Sequence, residues 1–316
     1  MADQSAEWTL GKLIEWTRGF FEKKGLPQPR LEAEILLAHV LGLERIDLYL
    51  KYDQPVGQAA RAAYRDLVRR RAGGEPTRYL TGGCEFMSLA MKVTPACLIP
   101  RPETELLVEE VLRLAGVRRQ TPAAMAAPAA GAAAADGPAA PTAPWSAIDL
   151  CTGCGCVAVS LAAYLPNGRV TATDISPEAL AVARTNAEAH GVAGRMTLLE
   201  GDLYEPLDAA DAQPADVLAA NPPYVAQAEW ETLPPEIRLH EPRAALVAGP
   251  TGTEIIERIL KGAPAYLKPG GALLVEIGDK QGAAIAQKAA AVRGLADVRI
   301  VKDYAGLDRI LFARKA

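Results

Sequence analysis

The stretch Val217-Leu218-Ala219-Ala220-Asn221-Pro222-Pro223-Tyr224 constrains this chain more than any other. Four apolar residues run into an amide, two prolines and an aromatic. Proline has no N–H, and the residue ahead of it is pushed out of the helical region, so Asn-Pro-Pro continues neither a helix nor a central strand. The apolar run therefore predicts a buried strand that stops at Ala220. Asn221 is left at its carboxyl end, with the Pro222 carbonyl beside it on a stiff backbone. In an open α/β sheet that end is where ligands bind. Taken alone, the motif reads equally well as a strand stop, since such dipeptides commonly mark turns.

The surrounding pattern favours a ligand. From Trp145 onward strand and helix alternate. Strands are expected at Ala147–Leu150, Val170–Thr173, Met196–Glu200, Val217–Ala220, Ala272–Ile277, Val298–Lys302 and Arg309–Ala313. Helices are expected at Cys156–Tyr164, Pro177–His190, Gly252–Leu267 and Gln281–Arg293. Such alternation predicts an α/β fold, a parallel sheet with helices on both faces. The close spacing of the last two strands predicts that one runs antiparallel.

Upstream, helical periodicity marks Leu10–Phe21, Leu31–Leu43 and Gln58–Ala72, the last carrying Arg61, Arg65, Arg69, Arg70 and Arg71. Those arginines read either as a solvated face or as a docking surface for an acidic partner. His39 is expected on the buried side of its helix. Short strands at Arg78–Thr81, Cys84–Phe86 and Leu89–Val93 predict a linking hairpin, and Pro102 opens a further helix to about Gly116. The expected organisation is a helical domain over 1–76, a hairpin linker over 77–100 and an α/β domain over 101–316. Residues 118–145 form an insertion within the last of these. Ala and Pro supply 18 of the 24 residues from Thr121 to Pro144, so no core forms there and a flexible segment is expected.

A formal net charge of −4 over 316 residues argues against a generic nucleic-acid binder. Residues 1–80 stand at about +2, with 13 Lys/Arg against 11 Asp/Glu. Five clustered cysteines, an odd number, make no disulfide framework. Lys12, Glu15 and Arg18 interrupt the first apolar stretch, excluding a signal peptide there, and no apolar run nears the ~20 residues that span a bilayer. A cytoplasmic, monomeric protein with no membrane or direct nucleic-acid contact is expected.

Four successive strand ends carry polar groups. Asp149-Leu150-Cys151-Thr152-Gly153-Cys154-Gly155-Cys156 follows the first strand and opens a helix. Its small residues let the backbone approach a ligand, and free N–H groups at the helix start favour an anion. Asp174 ends the second strand, where an acid suits a ribose. Asp202 and Leu203 end the third, placed for an adenine ring. Asn221 ends the fourth. Gly153-x-Gly155-x-x-Ala158 also fits a dinucleotide fingerprint, but that pattern explains neither Asp202 nor Asn221–Tyr224. S-adenosylmethionine accounts for all four ends. Its aminocarboxylate would lie on Cys151, Thr152, Gly153, Cys154 and Gly155, its ribose on Asp174, and its methyl would point towards Asn221.

That geometry also constrains the acceptor. An amide nitrogen is a poor nucleophile, because its lone pair is delocalised into the carbonyl. The Asn221 Oδ1 and the Pro222 carbonyl would accept its two N–H groups, and Tyr224 would pack on its flat face, so positioning and electrostatics are the main levers.

With these residues in view, the chain resembles the HemK/PrmC protein-(glutamine N5)-methyltransferases. The resemblance runs through Glu75-Pro76, Tyr79–Gly82, Glu85-Phe86, Val93–Pro95 and Leu98–Glu105, whose Pro-Arg-Pro-Glu-Thr-Glu is the most family-specific part. It continues through the glycine loop, Asn221-Pro222-Pro223-Tyr224, Glu241–Arg243, Leu267–Gly271 and Lys302–Gly306. It implies a class I S-adenosylmethionine-dependent methyltransferase with a Rossmann-like seven-stranded sheet and an N-terminal helical bundle. It implies as substrate the Gly-Gly-Gln glutamine of peptide chain release factors, held by Asn221, Pro222, Pro223 and Tyr224, with the helical domain helping recognition. The chain departs from the family at Cys151 and Cys154, where Gly and Ser or Thr are frequent, and at Leu203, where an aromatic is frequent. Alternatives are glutamine methylation of a ribosomal protein and adenine-N6 methylation of DNA or RNA.

Other residues receive plainer readings. Cys151, Cys154 and Cys156 lack a fourth ligand, so no metal is expected. Asp149 serves either the glycine turn or the cofactor. Ser176 is a better helix cap than Asp174. Trp230–Leu239 is expected as a loop, either a lid over the acceptor or inert surface.

Overall fold

The structure, a computed structural model, describes residues 8–117 and 145–316. Residues 118–144 of the expected insertion lie outside the described residues, and Trp145 already opens a strand. The chain divides into two compact units. One comprises the chain up to Gly82 together with Pro234–His240, the other Gly83–Leu233 and Glu241–Ala316.

The first unit is helical: α1 (Leu10–Lys23), α2 (Pro29–Leu41), α3 (Arg45–Leu50), α4 (Gln58–Ala72) and α5 (Thr77–Thr81). Thr9 caps α1 by accepting the Lys12 N–H, Pro29 opens α2, and Gly42 closes it with a left-handed backbone. Leu13, Ile14, Phe21, Leu36, Leu37, Leu48, Tyr64 and Val68 form the core. Two short elements depart from expectation. Helix α3 goes unforeseen because six residues with only Leu48 buried show no periodicity. Arg78–Thr81 belongs to helix α5 rather than to a strand, and Gly82 in the left-handed region ends it. His39 is exposed, not buried: Ala33, Leu36 and Leu37 take the core face of α2.

Within this unit Arg71 is buried, with its Nε 3.0 Å from Glu32 and its Nη1 3.0 Å from Glu236. Arg69 pairs with Asp66 and Arg70 with Glu75, so three of the five α4 arginines are engaged inside the unit. Trp230–Leu239 is thus not an open loop. A 3-10 turn covers Gln227–Thr232, a short helix covers Pro235–His240, and Pro234–His240 belongs to the helical unit.

The second unit begins with a hairpin, β1 (Gly83–Phe86) and β2 (Leu89–Lys92). Helix α6 (Glu105–Leu114) follows. Then come β3 (Trp145–Leu150), α7 (Cys156–Tyr164), β4 (Gly168–Asp174), α8 (Pro177–Ala189), β5 (Met196–Glu200), α9 (Glu205–Ala209) and β6 (Ala215–Ala220). The small pair β7 (Val225–Ala226) and β8 (Val247–Gly249) precedes α10 (Glu254–Tyr266), β9 (Leu267–Glu276), α11 (Gly282–Ala290), β10 (Leu295–Lys302) and β11 (Asp308–Lys315). Seven strands make one sheet in the order β10-β11-β9-β6-β3-β4-β5. All neighbours are parallel except that β11 runs antiparallel to both β9 and β10. This is the class I methyltransferase arrangement.

Both faces of the sheet are buried, as parallel sheets require. Ala147, Val217, Ala219 and Leu274 pack with α6 and α7 on one face. Ile148, Leu150, Leu218, Ala220, Leu273 and Val275 pack with α10 and α11 on the other. Central strand β3 lies between β4 and β6, so the winding direction reverses there. The crevice at the carboxyl ends of β3, β4, β5 and β6 is therefore the topological switch point of the fold. Among the described residues, no helix is long and apolar enough to cross a membrane.

Candidate active site

The glycine loop leaves β3 in a tight turn. Cys151, Gly153 and Gly155 all take positive φ, at 59°, 56° and 80°. A side chain at Gly155 would meet Ala183 Cβ at 2.9 Å, so glycine also permits the close approach of α7 and α8. Thr152 ties the turn down: its N–H donates to the Thr173 carbonyl at 3.0 Å and its hydroxyl to Asp149 Oδ2 at 2.6 Å. Burial pushes the Asp149 carboxyl up to about 7. Asp149 thus supports the loop from beneath, the plainer of its two readings.

The two unusual thiols part company. Cys154 is buried beside the thiols of Cys97 and Cys156, while its carbonyl accepts from Asn186 Nδ2 at 2.8 Å. Its side chain is therefore turned inward, and only its backbone lines the loop. Cys151 stays beside the carboxylates of Asp174, Asp149 and Asp202, and burial followed by those charges raises its thiol pKa. Among the described residues no group of three or more His, Cys, Asp or Glu side chains is arranged to hold a metal ion.

Asp174 ends β4. Its Oδ2 accepts the Gly153 N–H at 2.8 Å and its Oδ1 the Ser176 N–H at 3.0 Å, so it joins the glycine loop to the second strand end. Each oxygen keeps a further lone pair for a ligand hydroxyl. Ser176, not Asp174, caps α8, accepting the Ala179 N–H at 3.0 Å. Past β5, Leu203 is buried with φ 50°, and the Asp202 carboxylate pairs with Arg258 at 2.8 Å. The neighbouring Tyr204 ring stacks on Tyr266, with ring centroids 4.6 Å apart, and its hydroxyl donates to the Ile259 carbonyl at 2.7 Å.

Asn221 leaves β6 directly, next to the glycine loop, since Ala220 pairs with Leu150 on β3. Its Nδ2 donates to Thr104 Oγ1 at 3.0 Å, and among the described residues its Oδ1 takes no hydrogen bond. The Thr104 hydroxyl donates in turn to Glu276 Oε2 at 2.7 Å, and the Tyr224 hydroxyl lies 3.4 Å from Glu276 Oε1. Thr104 and Glu276 are each only 1% exposed. Burial pushes the Glu276 carboxyl up to about 7, against the opposing pull of Thr104, Arg309 and Tyr224. Pro222 is buried, and the Tyr224 carbonyl accepts from Gln281 Nε2 at 3.0 Å. A side chain at Gly252 would reach that carbonyl at 2.6 Å, so the motif is clamped from both sides. The four strand ends are brought together at this crevice.

Comparison with known proteins decides the family. Residues 12–82 match the PrmC N-terminal domain family, and residues 141–246 match the Methyltransferase small domain family. The chain is 40% identical over 319 residues to the release factor glutamine methyltransferase of Rhodopirellula baltica, covering 100% of both chains. It is 40% identical to that of Geobacter sulfurreducens, covering 99% of both. The chain belongs to the release factor glutamine methyltransferase family. In fold it is similar to the catalytic domain of hMettl16 solved with MAT2A 3'UTR hairpin 6. The TM-score there is 0.52 at 17% identity, covering 78% of this chain and 81% of that one.

In this member of the family the Pro-Arg-Pro-Glu-Thr-Glu stretch acts as a junction. Arg101 pairs with the buried Glu241, Thr104 holds Asn221, and Glu105 Oε1 accepts the hairpin's Met87 N–H at 2.7 Å. Sequence reasoning missed Glu276, Asn186, Arg258 and Gln281. Glu276 carried a signal: a lone carboxylate inside the apolar run Ala272-Leu-Leu-Val-Glu276-Ile277 needs a buried partner. Asn186 and Arg258 lie on helix faces where a polar residue is unremarked, and Gln281 in the turn that opens α11.

Proposed function

We propose that this protein transfers a methyl group from S-adenosylmethionine to the side-chain N5 of the glutamine in the Gly-Gly-Gln loop of peptide chain release factors. The observation that carries the reading is the place of Asn221-Pro222-Pro223-Tyr224, beside the glycine loop at the switch point of a methyltransferase fold. Membership of the release factor glutamine methyltransferase family supports the acceptor.

The residues fit the cofactor. Positive-φ positions at Cys151, Gly153 and Gly155 bare the loop backbone, and Asp174 offers free lone pairs at the next strand end. The backbone of Cys151–Gly155 would hold its aminocarboxylate, Asp174 its ribose, and Asp202 with Leu203 its adenine. When bound, it supplies an electrophilic methyl on a positively charged sulfur. The protein's own part is positioning. Asn221 Oδ1 and the Pro222 carbonyl accept the two N–H groups of the glutamine amide and aim its nitrogen, while Tyr224 packs on the amide plane. No strong base is required, because the methylated nitrogen becomes acidic and releases its proton afterwards.

The deciding experiment is labelled methyl transfer offered in parallel to purified release factor, ribosomal protein and DNA, with the modified residue mapped. Label on the release-factor glutamine is expected; label on DNA alone would overturn the proposal.

A further inference from the structure

We propose that Glu276, acting through the Thr104 hydroxyl, decides which end of the Asn221 amide faces the acceptor. This deepens the reading above and rests on Asn221 holding the acceptor amide. An asparagine amide has two nearly isosteric ends of opposite polarity: the oxygen accepts, the NH2 donates. Only the oxygen suits an acceptor nitrogen that itself carries N–H groups. Something must therefore hold the NH2 end away.

Proton counting identifies the device. The Thr104 hydroxyl has one proton and two neighbours, Glu276 Oε2 at 2.7 Å and Asn221 Nδ2 at 3.0 Å. An ionised carboxylate only accepts, so it claims the threonine proton. What remains on Oγ1 is a lone pair, which only the NH2 end of Asn221 satisfies. The Asn221 oxygen is left for the acceptor. A Glu276 group that donates instead frees the threonine proton for the Asn221 oxygen, and the wrong end turns outward. Glu276 follows Val275, the register partner of Ala220, so the carboxylate lies one strand from Asn221 at the same level. Tyr224 also points its hydroxyl at this carboxylate, so one buried group addresses both polar ends of the motif. Thr104 and Glu276 are positioning residues. The titratable and charged groups facing Glu276 are Tyr224, Arg309 from β11 and Glu103 from the turn before α6; Arg309 is itself paired with Asp303.

The test uses the full chain, S-adenosylmethionine and purified release factor. Thr104→Ser keeps the hydroxyl and is expected within about threefold of wild-type kcat/KM, whereas Thr104→Val keeps the shape and loses roughly ten- to hundredfold. Glu276→Gln, which can donate to Thr104, is expected to lose a similar amount. It should also lose the rise of kcat/KM with pH that the ionising carboxyl confers on the wild type. S-adenosylmethionine affinity by calorimetry should stay within about threefold in all three variants. Wild-type kcat/KM in Thr104→Val, or an unchanged pH profile in Glu276→Gln, overturns the relay. If Thr104→Val melts too low to assay, the Glu276→Gln profile decides. Asn221→Ala in the same series separates the two claims: full activity there removes the role of Asn221 itself. Slow Asn221→Ala beside fast Thr104→Val removes only the relay.

Discussion

Removing the Asn221 side chain takes away one hydrogen-bond acceptor and leaves the glycine loop, Asp174 and Asp202 intact. Asn221→Ala should therefore bind S-adenosylmethionine with a modest loss while methyl transfer slows by about a hundredfold or more, the scale of one preorganised catalytic contact. Calorimetry beside single-turnover assays checks this, and near-normal turnover would sink the mechanism. Asp149 makes a second prediction at this scale. Its folded pKa is raised by burial to about 7, above the ordinary carboxylate value of 3.8. The stability it contributes is thus fully present below about pH 4 and lost as pH rises through 7. Asp149→Asn, neutral throughout, should gain on wild type over that window by on the order of a few kcal/mol. Melting curves for the two proteins that stay parallel from pH 4 to 8 would refute it.

The glycine loop between β3 and α7 works as an element because its backbone conformation and its packing are separate demands. Gly155 meets both, with φ 80° and Ala183 Cβ 2.9 Å from where a methyl would stand; Gly153 meets only the first, with open space around it. Gly155→Ala should cost about 2–3 kcal/mol and weaken cofactor binding, and Gly153→Ala only about 1 kcal/mol. Equal melting temperatures for the two variants would show that the contact between α7 and α8 does not matter. Elements of this length were the readable part of the chain. Cys156–Tyr164 and Gln58–Ala72 occupy their expected ranges because unbroken helix-forming runs between glycine or proline punctuation leave few options. Helices α3 and α5 escaped because five or six residues span too few turns to display a period. His39 escaped because its helix is apolar on more than one side, leaving the inward face ambiguous.

For the whole molecule, the chain crosses between units at Gly82 and again on either side of Pro234–His240. Inside the helical unit that returning segment is held by Arg71, buried between Glu32 and Glu236. Arg71→Met would leave two carboxylates without their cation, so a loss of about 3 kcal/mol and faster proteolytic nicking within Pro234–His240 are expected. Unchanged digestion kinetics would show that the ion pair does not hold the segment.

The alternation of strand and helix, the sheet class, the strand stop at Ala220 and the polar groups at four strand ends were all legible in the order of the residues. Each of these is local, written in periodicity, proline and glycine. What those groups do to one another emerges from contacts distant in the chain. Thr104 lies 117 residues from Asn221 and 172 from Glu276, yet one hydroxyl joins them. Cys154 turns inward to Cys97, and Asp202 finds Arg258 across the fold. Such partnerships follow from which strands the sheet places side by side and from the need to satisfy every buried polar group, and no local pattern encodes either.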